Sequence, residues 1–151
     1  MTFGVFLTAL FFAFGAWTLW GKSMHRKLET LVVPLSSCHG GEREELYGLV
    51  DSGALLKDEE GRPVILLKAS SAGKLLSREE LEKIRLGLGE NTVSLPIRTA
   101  AGGGTLYAFL PTSVHFHRKK RTKGDKEILV ALDFSEGGFG GCPVLIPLYA
   151  L

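Results

Sequence analysis

The stretch Leu49-Val50-Asp51-Ser52-Gly53-Ala54-Leu55-Leu56 sets one carboxylate between two apolar runs. A strand that ends in Asp-Ser-Gly turns tightly and projects the acid from its end. Ser52 is placed to hydrogen-bond nearby backbone and hold the turn. Gly53 lets another chain or a substrate come close. The chemistry open to such an acid is general acid–base work on a peptide bond. Two carboxylates about 3 Å apart cannot both ionise readily, so they share one proton. The ionised member takes a proton from water, and the protonated member polarises the carbonyl. Asp-Ser-Gly is equally a good turn sequence, so a plain turn stands as the second reading.

The motif occurs once. Asp58, Asp125 and Asp133 lack the Ser/Thr-Gly that should follow. A working pair therefore needs a second Asp51 from another copy. A two-fold axis brings a residue to its own symmetry mate, so that geometry is self-consistent.

The elements that must hold this turn read as short strands. Leu31–Leu35, Leu46–Asp51, Pro63–Lys68, Val93–Arg98, Thr105–Leu110, Val114–His117, Ile128–Phe134 and Pro143–Tyr149 are apolar and separated by Gly, Pro, Asp and Glu clusters. One helix is expected: Ser77 and Glu80 form a capping-box pattern, with Leu81, Ile84, Leu86 and Leu88 as its apolar side and Gly87 or Gly89 as its stop. Eight strands and one helix predict an all-β barrel or sandwich, since a parallel α/β fold needs a helix between most strands. The glycines Gly102, Gly103 and Gly104, in AAGGGT between two strand patterns, make a candidate flap over a cleft. An ordinary Gly-rich hairpin is the other reading.

The order YGLVDSGALL, GRPVILL, LPIRTAAGGGTLYAFLPTSV, ILVAL and a closing apolar stretch resembles the sporulation sigma-E factor-processing peptidases, membrane-bound aspartic proteases of spore-forming bacteria. The resemblance covers Tyr47–Tyr149, about two-thirds of the chain. It implies a pepsin-like or retropepsin-like β-barrel subunit over residues 31–151, with Asp51 catalytic and Ser52 and Gly53 supporting its turn. It further implies a homodimer, no cofactor, and a sigma factor precursor as the protein substrate. Three departures stand out. Ala54 replaces the Asn usual in the family. Ala131 stands where pepsin-like folds place Gly, under the catalytic turn. The family carries several membrane spans before the protease, whereas this chain reads as a short form with one. Arg98, in LPIR, also fits the family pattern.

That span is Thr2–Trp20, 19 residues without a charge, within a transmembrane segment over residues 1–21. At about 1.5 Å per residue, such a helix nearly spans a core of roughly 30 Å. Trp17 and Trp20 suit the headgroup region. Lys22, Arg26 and Lys27 follow in a basic linker over residues 22–30. The positive-inside rule then puts the C-terminal domain in the cytoplasm of a single-pass protein of the cell membrane. The competing reading is a cleaved signal peptide. It needs the basic residues before the apolar run and a small-x-small exit, and this chain has neither.

The whole chain has 151 residues, 45% of them hydrophobic and 23% charged, which fits one ordinary domain and excludes global disorder. A net charge of +2 argues against a strongly polyanionic partner. Two cysteines exclude a disulfide-stapled miniprotein. Charge is nonetheless polarised. Six cations, Arg118, Lys119, Lys120, Arg121, Lys123 and Lys126, face one acid, Asp125, in a single loop. This loop suits anionic membrane lipid or an acidic pro-segment of the substrate, and is otherwise a solvated hairpin. No nucleic-acid motif accompanies it. Cys38, His39, His115 and His117 lack zinc-binding spacing, and the Gly runs lack the Gly-Lys-Ser/Thr of a phosphate loop, so no metal or nucleotide is expected.

The resulting expectation is a membrane-tethered aspartic endopeptidase that removes the pro-segment of a sporulation sigma factor precursor. The alternative is a catalytically silent, membrane-anchored β module for binding or dimerisation, with Asp51 only a turn residue.

Overall fold

A computed structural model describes residues 32–99, 102–117 and 127–151. The predicted span, the basic linker and Arg118, Lys119, Lys120 and Arg121 lie outside the described residues. The chain divides into two units, Met1–Leu31 and Val32–Leu151, and all described residues belong to the second. Among them no helix is long and apolar enough to cross a membrane.

The second unit is mostly β. Its strands are β1 (Val32–His39), β2 (Glu42–Asp51), β3 (Val64–Lys68), β4 (Val93–Thr99), β5 (Gly102–Phe109), β6 (Ser113–Phe116), β7 (Leu129–Asp133) and β8 (Val144–Pro147). One helix, α1 (Arg78–Arg85), lies between β3 and β4. The strands form a single curled, half-barrel sheet in the order β4-β5-β7-β3-β8-β2-β1-β6.

The centre of the sheet explains the least alternating sequences. In β3, Ile65 and Leu67 join the larger core cluster, while Val64 and Leu66 join a smaller one. In β7, Val130 and Leu132 face the larger cluster, and Leu129 and Ala131 the smaller. Side chains alternate across a strand, so both strands are buried on both faces. Such strands read as continuous apolar runs rather than alternating ones. β3 and β7 are also paired in parallel, from Val64↔Leu129 to Lys68↔Asp133.

β1 and β2 form a hairpin longer than the apolar pattern predicts. Pairing runs from Val32↔Leu49 out to His39↔Glu42, through the polar stretch Ser36–Glu45. Gly40 and Gly41 make the two-residue turn at φ +58° and +90°, the left-handed region that such a turn requires. β6 pairs with β1 over Leu35–Cys38, which buries Ser36 and Ser37.

The helix starts as expected. Ser77 Oγ accepts from Glu80 N, and the Glu80 carboxylate accepts from Ser77 N at 2.7 Å. It ends earlier than the apolar spacing implies, at Arg85. Gly87 takes φ +70° and stops it, as a left-handed C-terminal residue does. Leu86 and Leu88 consequently leave the apolar side and are 63% and 72% exposed. Ile84 is the buried helical residue.

The inner face of β2 is closed by Leu46, Gly48 and Val50. A Cβ on Gly48 would lie 2.3 Å from Ile146 Cδ1, 2.6 Å from Ile146 Cγ1 and 3.3 Å from Leu35 Cδ2. Ile146 and Leu35 are fully buried, so neither side chain has room to retreat. Gly48→Ala is therefore expected to cost about 1–3 kcal/mol, the usual penalty for overpacking a core. A urea unfolding midpoint unchanged by the substitution would contradict this packing.

Candidate functional site

Asp51 is the last residue of β2. Its strand is wedged between β1 and β8, and it runs parallel to β8 with the register Gly48↔Val144, Leu49↔Leu145, Val50↔Ile146 and Asp51↔Pro147. The buried inner residues of both strands hold this end in place, and the chain then bends at Ser52 and Gly53. Asp51 Oδ1 accepts the Gly53 N–H at 2.8 Å. A Cβ at residue 53 would lie 3.3 Å from that same oxygen, so glycine lets the amide come up to the carboxylate. The turn is thus closed by Asp51 itself. Ser52 is exposed, and its hydroxyl has no partner among the described residues, contrary to the bracing role expected of it.

The residue beside Asp51 is Pro147, and Ala131 is elsewhere. Ala131 pairs with Leu66 of β3 and with Ala108 of β5, within the smaller core cluster. The expectation that the ILVAL strand packs beneath the Asp-Ser-Gly turn is corrected: β8 takes that place.

The segment after the turn is fastened from both sides. Leu56 O accepts from Val64 N at 3.0 Å and also from the Tyr149 hydroxyl, in the 3-10 turn Leu148–Ala150 that follows β8. Next, Asp58 closes the 57–63 loop. Its Oδ1 accepts from Arg62 N and its Oδ2 from Arg62 Nε, both at 2.7 Å. Burial favours the neutral acid at Asp58. The two Arg62 contacts outweigh that and hold its carboxyl below the ordinary range. Arg62 also lies 3.7 Å from Glu127, just before β7.

Asp133 is neutralised in the same way at the other end of the sheet. Lys68 Nζ donates to Asp133 Oδ2 at 2.7 Å and to Ser135 Oγ at 2.8 Å, and lies 4.7 Å from the Phe139 ring centre. Burial raises the Asp133 carboxyl, but Lys68 and Ser135 overcome it and lower it on balance. Among the described aspartates, then, Asp58 and Asp133 each carry a cation. Asp51 carries none, and its second oxygen is open. Neither the Asp58 clamp nor the Lys68–Asp133 pair is foreseen from the sequence. For Lys68 and Asp133 one signal exists, since each is a charged residue ending an otherwise apolar strand.

Gly102, Gly103 and Gly104 open β5 and pair with Thr99, Arg98 and Ile97. All three are exposed, in a hairpin whose tip lies outside the described residues. Within the sheet, β7, β3 and β8 separate this hairpin from β2. The four residues weighed as metal ligands are otherwise engaged or dispersed. His39 packs edge-on against Phe109, at 5.0 Å between ring centres, and His117 Nε2 lies 2.9 Å from Glu45. Cys38 stays on β1, opposite Arg43.

The described geometry defines a β-sheet protein with one uncompensated carboxylate at a strand end. No family model, curated protein or solved structure matches the chain.

Proposed function

We propose that this chain is one subunit of an aspartic endopeptidase, tethered to the cell membrane with its β domain in the cytoplasm. A retropepsin-like half-barrel presents Asp51, and Asp51 of a second subunit completes the dyad. The observation that carries this reading is the contrast between the three described aspartates: two are sealed by cations, and the one in the Asp-Ser-Gly turn is not. An acid that must share a proton with its twin has to lack a neighbouring cation, because a cation would fix both members in the ionised form.

In this reading, one Asp51 is ionised and takes a proton from the attacking water. The other is protonated and donates to the scissile carbonyl oxygen. Dyad and water carry the reaction without a cofactor. Gly102–Gly104 close over the peptide as a flap, and Arg118, Lys119, Lys120 and Arg121 meet an acidic pro-segment or anionic lipid. The substrate is a membrane-associated sporulation sigma factor precursor, from which an N-terminal pro-segment is removed.

The test is co-expression of the full chain with an epitope-tagged precursor, read as shortening on a gel. Shortening is expected. An intact precursor beside a folded, membrane-bound chain would overturn the protease reading and favour the silent binding module.

A further inference from the structure

Three of the seven large apolar side chains exposed among the described residues converge on Asp51. Leu55 is 77% exposed, Leu148 55% and Tyr149 44%. Leu55 lies just past the Asp51 turn, and Leu148 and Tyr149 just past Pro147, the register partner of Asp51. The Tyr149 hydroxyl bonded to Leu56 O ties the two segments together. Charge is also missing here. Across Leu46–Leu56 and Pro143–Leu151, Asp51 is the only charged side chain. Elsewhere the surface is strongly charged, as in the Arg43–Glu45 and Glu79–Lys83 pairs. Aromatic and leucine side chains in a charge-depleted patch are the composition of an interface core rather than of a solvated surface.

We infer that a second copy of this chain covers the patch of Leu55, Leu148 and Tyr149, so that the apolar contact encircles the two Asp51 carboxylates and excludes water from between them. The inference rests on the dyad reading, and that reading also chooses the occupant. A site with one carboxylate is incomplete, and only another copy supplies the missing one. The contact is isologous, with the patch meeting itself across the axis. Each substitution is therefore felt twice.

The experiment uses the full chain in membranes. Ser52→Cys, beside Asp51 and exposed, reports the closeness of two copies by oxidative crosslinking, in a Cys38→Ala, Cys142→Ala background. Leu148→Asp and Leu55→Asp are each expected to lower the crosslinked fraction by about tenfold or more, because a charge then faces its own image in the contact. Leu86→Asp, equally exposed beyond α1, is expected to leave it unchanged. Two patch variants guard against a local folding defect, and resistance to added protease checks each. If the parent chain crosslinks and neither patch substitution reduces it, the patch is overturned while the dyad survives. A parent chain that does not crosslink overturns both.

Discussion

Replacing Asp51 with Asn is expected to abolish shortening of the precursor while leaving the chain folded. The only hydrogen bond to the side chain comes from Gly53 N to Oδ1, and the amide oxygen of Asn accepts it equally well. Asn has the same shape, and the site is at the surface, so the stability change is expected to stay within about 0.5 kcal/mol. Catalysis is another matter. An amide neither takes a proton from water nor donates one as an acid does. Acid–base groups contribute about 10²–10⁴-fold each, and here one substitution removes both members of the pair. The loss is therefore expected at about 10³-fold or beyond. Symmetry adds a sharper test. With equal amounts of both chains assorting at random, only about a quarter of the dimers retain two native copies, so the variant acts dominantly. Cleavage that merely halves on such mixing means each subunit works alone and excludes the shared dyad. Cleavage that persists in the pure variant excludes Asp51.

Much of this arrangement is legible in the sequence because it is local. An apolar run ending in Asp-Ser-Gly reads as a strand and turn, and Asp51 ends β2 as expected. The Ser77–Glu80 pattern marks the start of α1 for the same reason: a capping box closes within one turn. What escapes depends on partners far along the chain. Ser36–His39 and Glu42–Glu45 are too polar to suggest strands, yet β6 and the Gly40-Gly41 turn draw them into the ladder. Burial between neighbouring strands there overrides propensity. Ala131 was expected under the turn because ILVAL and the Pro143–Tyr149 stretch are both short and apolar. Nothing local tells which of them lies beside β2. Only the register does, and it selects Pro147. Leu86 and Leu88 were expected on the apolar face of α1 from spacing alone, but the left-handed Gly87 ends the period before they reach it.

The pair that no motif announces is expected to matter most for stability. The Lys68 side chain is 6% exposed and that of Asp133 23%. They are 65 residues apart in sequence and adjacent in the β3–β7 register. Lys68 also holds Ser135 and packs on Phe139, so it fastens the end of β7 to the loop before β8, the strand that lies beside Asp51. Lys68→Met leaves the Asp133 carboxylate half-buried without its cation. Breaking a buried pair from one side costs about 3–5 kcal/mol, and the lower figure applies because Asp133 keeps some contact with water. Against a total of about 5–15 kcal/mol for a domain, that is a large share. Lys68→Met combined with Asp133→Leu is expected to recover most of it, since no lone charge remains. Acid reports the same pair. The Asp133 carboxyl titrates lower in the folded chain than in the unfolded one, so the unfolded state takes up its proton first as pH falls. The stability from this group is complete above the ordinary carboxylate value of about 4 and disappears as pH falls through that value toward the folded one. Asp58, lowered by Arg62, adds a parallel loss that persists in both variants. Urea unfolding at neutral pH and at about pH 3 should therefore show a smaller acid-induced loss in the double variant than in the native chain. Equal losses would mean that Lys68 and Asp133 do not exchange charge stabilisation, and the end of β7 would then be held by the Ser135 and Phe139 contacts alone.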